Sequence, residues 1–148
     1  MRHVYVSPVR YVGADIVPDL IAANRQRFAS RTRTFLCLDI SHDRLPRVDV
    51  ILCRDCLVHM SFTDIAATFA NFRRSGSTYL LTTHFTGPRD NLEIATGGWR
   101  PLNLQRPPFD LPPPLRLINE HAGRPAAATA TSISDSGRSR TCRYEAAA

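Results

Sequence analysis

The 148-residue chain contains no lysine, so its net charge of +6 comes from 19 arginines set against 13 acidic residues. These arginines are spread from Arg2 to Arg143, with no dense stripe and no aromatics interleaved. The charge reflects an arginine-, alanine- and proline-rich composition of the kind GC-rich coding gives, and it does not point to nucleic acid. No run reaches the roughly 18 to 20 apolar residues of a membrane span, and the N-terminus lacks the apolar core of a signal peptide. A cytoplasmic location with no membrane partner is expected. The four cysteines, Cys37, Cys53, Cys56 and Cys142, make no disulfide framework. The absence of any Gly-x-Gly-x-x-Gly argues against a dehydrogenase-type dinucleotide binder.

What is present is one domain's worth of chain with an ordinary apolar fraction of 43%. Tyr11 to Val17 reads as a strand, and Pro18 with Asp19 opens a helix to about Phe28 that would bury Leu20, Ile21 and Phe28. Thr34 to Asp39 and the short, almost fully apolar Val48 to Cys53 read as strands two and three. Ser61-Phe62-Thr63-Asp64 has capping-box form, and the helix it starts, Thr63 to Arg74, carries Ile65, Phe69 and Phe72 at helical spacing with Gly76 as its stop. Thr78 to Thr83 is a fourth strand and Leu115 to Glu120 a fifth.

Between the last two lies a long loop, His84 to Pro114, rich in glycine and proline, with one short helical turn near Leu92. From Ala122 to Ala148 large apolar side chains almost vanish, which reads as a disordered tail. The fold class that follows is α/β, a Rossmann-like, mainly parallel sheet with flanking helices. Residues 1–10 are irregular, 11–121 form the domain and 122–148 the tail.

Asp15 and Asp39 stand where successive strands emerge, the arrangement by which open α/β sheets build a nucleoside pocket. One carboxylate suits a ribose diol and the other an adenine amino group. The alternatives are an exposed turn acid at Asp15 and an Asx-type turn over Asp39 to Asp43. Cys53-Arg54-Asp55-Cys56 is a C-x-x-C, but no second ligand pair accompanies it or His59. Buried thiols are therefore preferred to a metal or redox site, and no metal is expected. Asp55 and His59 are four apart, so a helical turn would let the carboxylate orient the imidazole as a general base; the alternative is a solvated rim pair. Trp99 either covers an acceptor pocket, with Arg100 and Asn103 as polar anchors, or plugs the edge of the core.

Five segments together resemble the class I S-adenosylmethionine-dependent methyltransferases of bacteria. They are Tyr11-Val12-Gly13-Ala14-Asp15-Ile16, Cys37-Leu38-Asp39-Ile40, Cys53 through Ser61, Asn71 through Thr83, and Gly98-Trp99-Arg100-Pro101-Leu102-Asn103-Leu104. The resemblance implies that Asp15 holds the ribose hydroxyls with Ile16 on the adenine ring, and that Asp39 takes the adenine amino group with Ile40 beside it. Cys53 and Arg54 would lie toward the methionine end. It also implies S-adenosylmethionine as cofactor and a small-molecule methyl acceptor that the sequence does not identify. Against the family pattern, Met1 to Arg10 hold neither the first strand nor its glycine loop, and the last strand of the sheet is not evident. The chain thus reads as truncated at the N-terminus and altered at the C-terminus, its activity open. The alternative is a non-catalytic remnant or nucleotide-binding module of the same fold.

Overall fold

The computed structural model describes residues 9–119 and 126–132. The expectations for residues 1–8, 120–125 and 133–148 lie outside the described residues. Two compact units divide the chain, one ending at Asp43 and the other starting at Arg44.

The first unit is a strand, a helix and a second strand: β1 (Tyr11–Asp15), α1 (Pro18–Phe28) and β2 (Arg33–Cys37). The strands pair in parallel, with Gly13 opposite Phe35 and Asp15 opposite Cys37. Strand β1 stops earlier than its apolar run because an Asp15 carboxylate oxygen accepts the Val17 N–H at 2.9 Å and turns the chain. Pro18 then fixes the φ of the first helical residue. Arg25 and Arg27 lie in the last turn of α1, where cations complement the helix dipole, and Arg25 also donates to the Phe35 carbonyl at 2.8 Å. Ile21 is buried as expected, but Leu20 and Phe28 are 46% and 42% exposed. Leu20 sits about 100° round the helix from Ile21, and Phe28 ends the helix with the Arg27 guanidinium over its ring at 5.2 Å.

The second unit holds β3 (Val50–Cys53), a 3₁₀ turn at Leu57–His59, α2 (Phe62–Arg74), β4 (Tyr79–Phe85), β5 (Arg116–Asn119) and β6 (Ala126–Ser132). Its sheet runs in the order β3-β4-β6-β5. β3 is parallel to β4, while β6 is antiparallel to both β4 and β5. Strands β3, β4 and β5 therefore share one direction, and a single reversed strand is inserted among them. Half of the capping box forms: the Ser61 hydroxyl accepts the Asp64 N–H at 3.1 Å, while the Ser61 N–H goes to the Thr96 hydroxyl and not to Asp64. Ile65, Phe69 and Phe72 are buried, each contributing about 1.5 to 3 kcal/mol by leaving water. The helix is followed by Gly76 at φ 70°, a left-handed position that suits glycine.

Three expectations are corrected. The tail was expected to begin at Ala122 with no packed structure, yet Ala126–Ser132 is a strand paired along its whole length with β4. The expectation counted apolar side chains, whereas a strand paired on both sides is held by ladder hydrogen bonds that need only the absence of proline. The last strand that the resemblance implied is thus present. Secondly, β4 runs on through His84 and Phe85, which had been assigned to the loop. Thirdly, no helical turn forms near Leu92, which is 71% exposed. The Asn91 side chain organises that loop instead. Its amide nitrogen donates to the carbonyls of Asn103 and Pro107 at 2.8 Å, and its oxygen accepts the Asn103 N–H at 2.8 Å. Leu102, Leu104 and Phe109 are buried as a result, the Phe109 ring meeting Phe62 and Phe69 edge to face.

Gly13 is where β1 and β2 come closest to a steric limit. A Cβ built there would lie 2.7 and 2.9 Å from the Phe35 ring, which is itself held edge-on by Tyr11. Gly13→Val is expected to destabilise the chain by about 1 to 3 kcal/mol, the usual range for overpacking. A urea midpoint equal to that of the wild type would show that the ring yields freely.

Candidate functional site

In the first unit, parallel pairing brings the carboxyl ends of β1 and β2 side by side. The ladder continues one step past β2, where the Leu38 N–H donates to the Asp15 carbonyl at 3.0 Å. Asp15 and Asp39 therefore stand on one edge, as expected. Their surroundings differ. Asp15 uses Oδ1 for the Val17 N–H, and no bond to its Oδ2 is formed among the described residues. Ile16 beside it is 63% exposed. Asp39 is bound within its own turn: Oδ1 accepts the Ser41 N–H at 2.7 Å, and Oδ2 pairs with His42 Nδ1 at 3.1 Å.

The Asp39 N–H in turn donates to the Asp43 carboxylate at 2.8 Å. The Asx-type turn is thus formed, and the Ser41 N–H and then His42 hold the Asp39 carboxyl below its ordinary range. The resulting stabilisation is present above the unfolded value of 3.8 and is lost as pH falls through the lowered one. Ile40 is half-buried next to it.

In the second unit, the residues after β3 occupy the carboxyl edge of the β3–β4 pair. Cys53 is buried, and its thiol is pushed well up by the neighbouring Cys56 thiol and by burial. It is therefore a protonated thiol at neutral pH and not an activated nucleophile. Among the described residues, no cluster of three or more His, Cys, Asp or Glu side chains could hold a metal ion. No helix there is long and apolar enough to cross a membrane.

Arg54 pairs with the Asp55 carboxylate at 3.0 Å. Asp55 has φ 52°, the left-handed region that Asp tolerates better than most residues. Thr83 pins it there, its hydroxyl accepting the Asp55 N–H at 2.8 Å and donating to Asp55 Oδ1 at 3.0 Å.

The expected Asp55–His59 couple is not made. A left-handed residue breaks the helical turn that would have stacked the two, and the turn that follows is 3₁₀. His59 Nδ1 lies 2.7 Å from the Gly98 carbonyl. Since a carbonyl only accepts, Nδ1 carries the proton and Nε2 is the accepting nitrogen of the neutral ring. The orienter of His59 is a backbone carbonyl from the distant loop, which pairwise spacing does not reveal. The only sequence signal was Gly97-Gly98, where backbone approaches closely: the Gly97 N–H donates to the His59 carbonyl at 2.8 Å.

Trp99 is 51% exposed, with its ring meeting Phe85 edge to face at 6.1 Å, and so it does not plug the core. Arg100 and Asn103, the expected acceptor anchors, serve the loop itself. Arg100 is buried with its guanidinium on the Val58 carbonyl and the Phe62 ring, and Asn103 donates to the Gly87 carbonyl.

Sequence reasoning missed His84, which is buried in β4. Its Nδ1 accepts the Leu104 N–H at 3.2 Å, so Nε2 carries the proton, and Nε2 has no partner among the described residues. The ring lines a cavity of about 20 Å³ with Thr82, Gln105 and Leu111 among its neighbours, a size that admits one water. Burial pushes the His84 pKa below 6.5.

The architecture has known counterparts. Human N-acetylserotonin methyltransferase, solved in complex with SAM, aligns with a TM-score of 0.56 at 11% identity, over 82% of this chain and 39% of its own. Burkholderia thailandensis 1,6-didemethyltoxoflavin-N1-methyltransferase, solved with 1,6-didemethyltoxoflavin and S-adenosylhomocysteine, aligns with a TM-score of 0.58 at 17% identity, over 85% of this chain and 62% of its own. The chain thus has a class I methyltransferase fold in part, and spans less than two thirds of the length of either protein. No protein-family model and no curated protein sequence matches it.

The neutral, buried His84 makes stability depend on pH. As pH falls below the unfolded value of 6.5, the unfolded chain takes up the proton before the folded one, so the unfolded state binds more protons and the folded state is penalised. Stability should be level above about pH 6.5 and decline from there toward pH 5. His84→Gln keeps an acceptor for the Leu104 N–H but does not titrate, and should flatten that decline. Urea unfolding at a series of pH values compares the two, and identical slopes would mean that His84 is readily protonated inside the fold.

Proposed function

We propose that this chain is an S-adenosylmethionine-dependent methyltransferase domain acting on a small-molecule acceptor. The observation that carries the reading is the parallel β1–β2 edge with Asp15 and Asp39 on it, within a methyltransferase fold. The residues fit the cofactor's parts. Asp15 has an uncommitted carboxylate oxygen for the ribose hydroxyls, and the exposed Ile16 offers apolar surface to the adenine ring. Asp39, held by the Ser41 N–H and hydroxyl and by His42, is a preorganised acceptor for an amino group, and Ile40 adjoins it. Cys53 and Arg54, which the resemblance gives to the methionine end, lie in the second unit, after β3.

When bound, S-adenosylmethionine supplies an electrophilic methyl group on a sulfonium. The protein's own part is positioning and proton handling. His59, with its ring fixed through Gly98, offers the Nε2 lone pair to the acceptor's proton. Asp55, anchored by Thr83 and Arg54, sets the shape of the edge on which His59 stands. Of the two residues, His59 is the catalytic one in this reading, its imidazole taking the proton, and Asp55 is a positioning residue that fixes the edge. The human and Burkholderia proteins named above are methyltransferases for N-acetylserotonin and 1,6-didemethyltoxoflavin, and a small-molecule acceptor is consistent with them.

Calorimetry with S-adenosylmethionine tests the assignment. Asp15→Ala should weaken binding by about 1.5 to 3 kcal/mol, as loss of a hydrogen bond to a charged group does. Asp15→Asn, which keeps the oxygen that turns β1, should lose about 1 kcal/mol. His59→Gln should leave cofactor affinity unchanged. An Asp15→Ala variant that binds as tightly as the wild type would remove the nucleoside site from this edge.

A further inference from the structure

The loop carries an aromatic ring whose exposure the fold does not explain. Trp99 is 51% exposed although the loop around it buries Leu102, Leu104 and Phe109, so the chain had core available for an indole and did not use it. Phe85 meets the ring edge to face at 6.1 Å, which restrains it while about half of its surface stays open. The residue immediately before Trp99 is Gly98, whose carbonyl holds His59 Nδ1 at 2.7 Å. One peptide unit therefore ties an exposed indole to an imidazole whose free nitrogen is an acceptor. A ligand answering both groups has a flat face for the indole and an N–H or O–H for Nε2.

The charge around them decides against the other usual guest of an exposed tryptophan, an ammonium ion. Aromatic sites for cations gain from a free carboxylate nearby. The nearby acids are already engaged: Asp55 is paired with Arg54 at 3.0 Å and bound by the Thr83 hydroxyl, Glu93 accepts the Phe62 N–H, and Asp64 accepts the Thr96 hydroxyl. We infer that Trp99 and His59 form the acceptor subsite, and that it takes a neutral, planar, heteroaromatic or phenolic molecule with an ionisable N–H or O–H. This inference rests on the methyltransferase reading and narrows its acceptor to one chemical class.

Trp99 is the only tryptophan of the chain, so its indole N–H gives a single side-chain resonance in a proton–nitrogen correlation spectrum. Titrating the full chain at about pH 6 with 4-nitrophenol, which is flat and at that pH keeps its O–H and is neutral, should shift that resonance saturably. Cyclohexanol, of similar size but not flat, and cyclohexylamine, a cation, should bind more weakly by up to about tenfold, the upper end of what ring stacking adds. His59→Gln should weaken 4-nitrophenol binding while the Trp99 resonance stays at its wild-type position in the free protein, showing an intact loop.

Cyclohexylamine binding as well as 4-nitrophenol, or no saturable shift with 4-nitrophenol, would overturn the inference. Calorimetry with S-adenosylmethionine on the same sample separates this failure from a wider one. Cofactor binding without an indole response removes only the acceptor subsite, whereas absence of both removes the methyltransferase reading with it.

Discussion

The second unit depends on β4 being hydrogen-bonded along both edges. On one side β3 pairs with it in parallel, and on the other β6 runs antiparallel to it from Tyr79 to Phe85. A strand held this way has its backbone groups satisfied within the sheet, so its side chains are presented at fixed heights. Thr83 can then pin Asp55 across the β3–β4 edge, while His84 receives the Leu104 N–H of the returning loop. Alternation along one strand thus serves two regions, the hydroxyl at the end of β3 and the imidazole against the loop. Loosening of β4 would release both together.

Much of this was legible in the sequence, for identifiable reasons. Helix α2 carries three concordant local signals, namely Ser61 at its start, Ile65, Phe69 and Phe72 along one face, and Gly76 past its end, and all are realised. The strands were visible as apolar runs, though Asp15 closes β1 through a side-chain bond that hydrophobicity does not record. Strand β6 was not legible. Its alanines and threonines carry no core signal, and its stability comes from partners distant in the sequence. The Asp55–His59 relation was misread because i,i+4 proximity assumes a helix, and Asp55 takes a left-handed conformation that no residue-type rule required.

Asp15 and Asp39 show how one sequence pattern yields two chemical situations. Both acids follow a strand on the same edge, yet the residues after them differ. Val17 and Pro18 leave Asp15 with one backbone donor and lead straight into a helix, whereas Ser41 and His42 supply a donor to each oxygen of Asp39. The first carboxylate is open on one oxygen, and the second is preorganised and held below its ordinary range by the Ser41 N–H and His42. Preorganisation fixes the direction of the remaining lone pairs, which favours a donor of defined geometry over mobile hydroxyls. Those two states match the division of labour between a ribose diol and an amino group better than two equivalent acids would.

The start of α2 carries a further meaning. A helix N-terminus exposes free N–H groups and a positive dipole end, which together attract phosphates and other anions. Here two of them, at Phe62 and Asp64, are taken. Glu93 reaches from the loop to the Phe62 N–H, Thr96 accepts the Ser61 N–H and bonds the Asp64 carboxylate, and Ser61 itself takes the Asp64 N–H. The loop side chains act as an internal anion and its escort, closing off the most obvious phosphate cradle of the second unit. The helix start is thereby less open to an outside anion, and the same contacts anchor the stretch of loop that leads to Trp99.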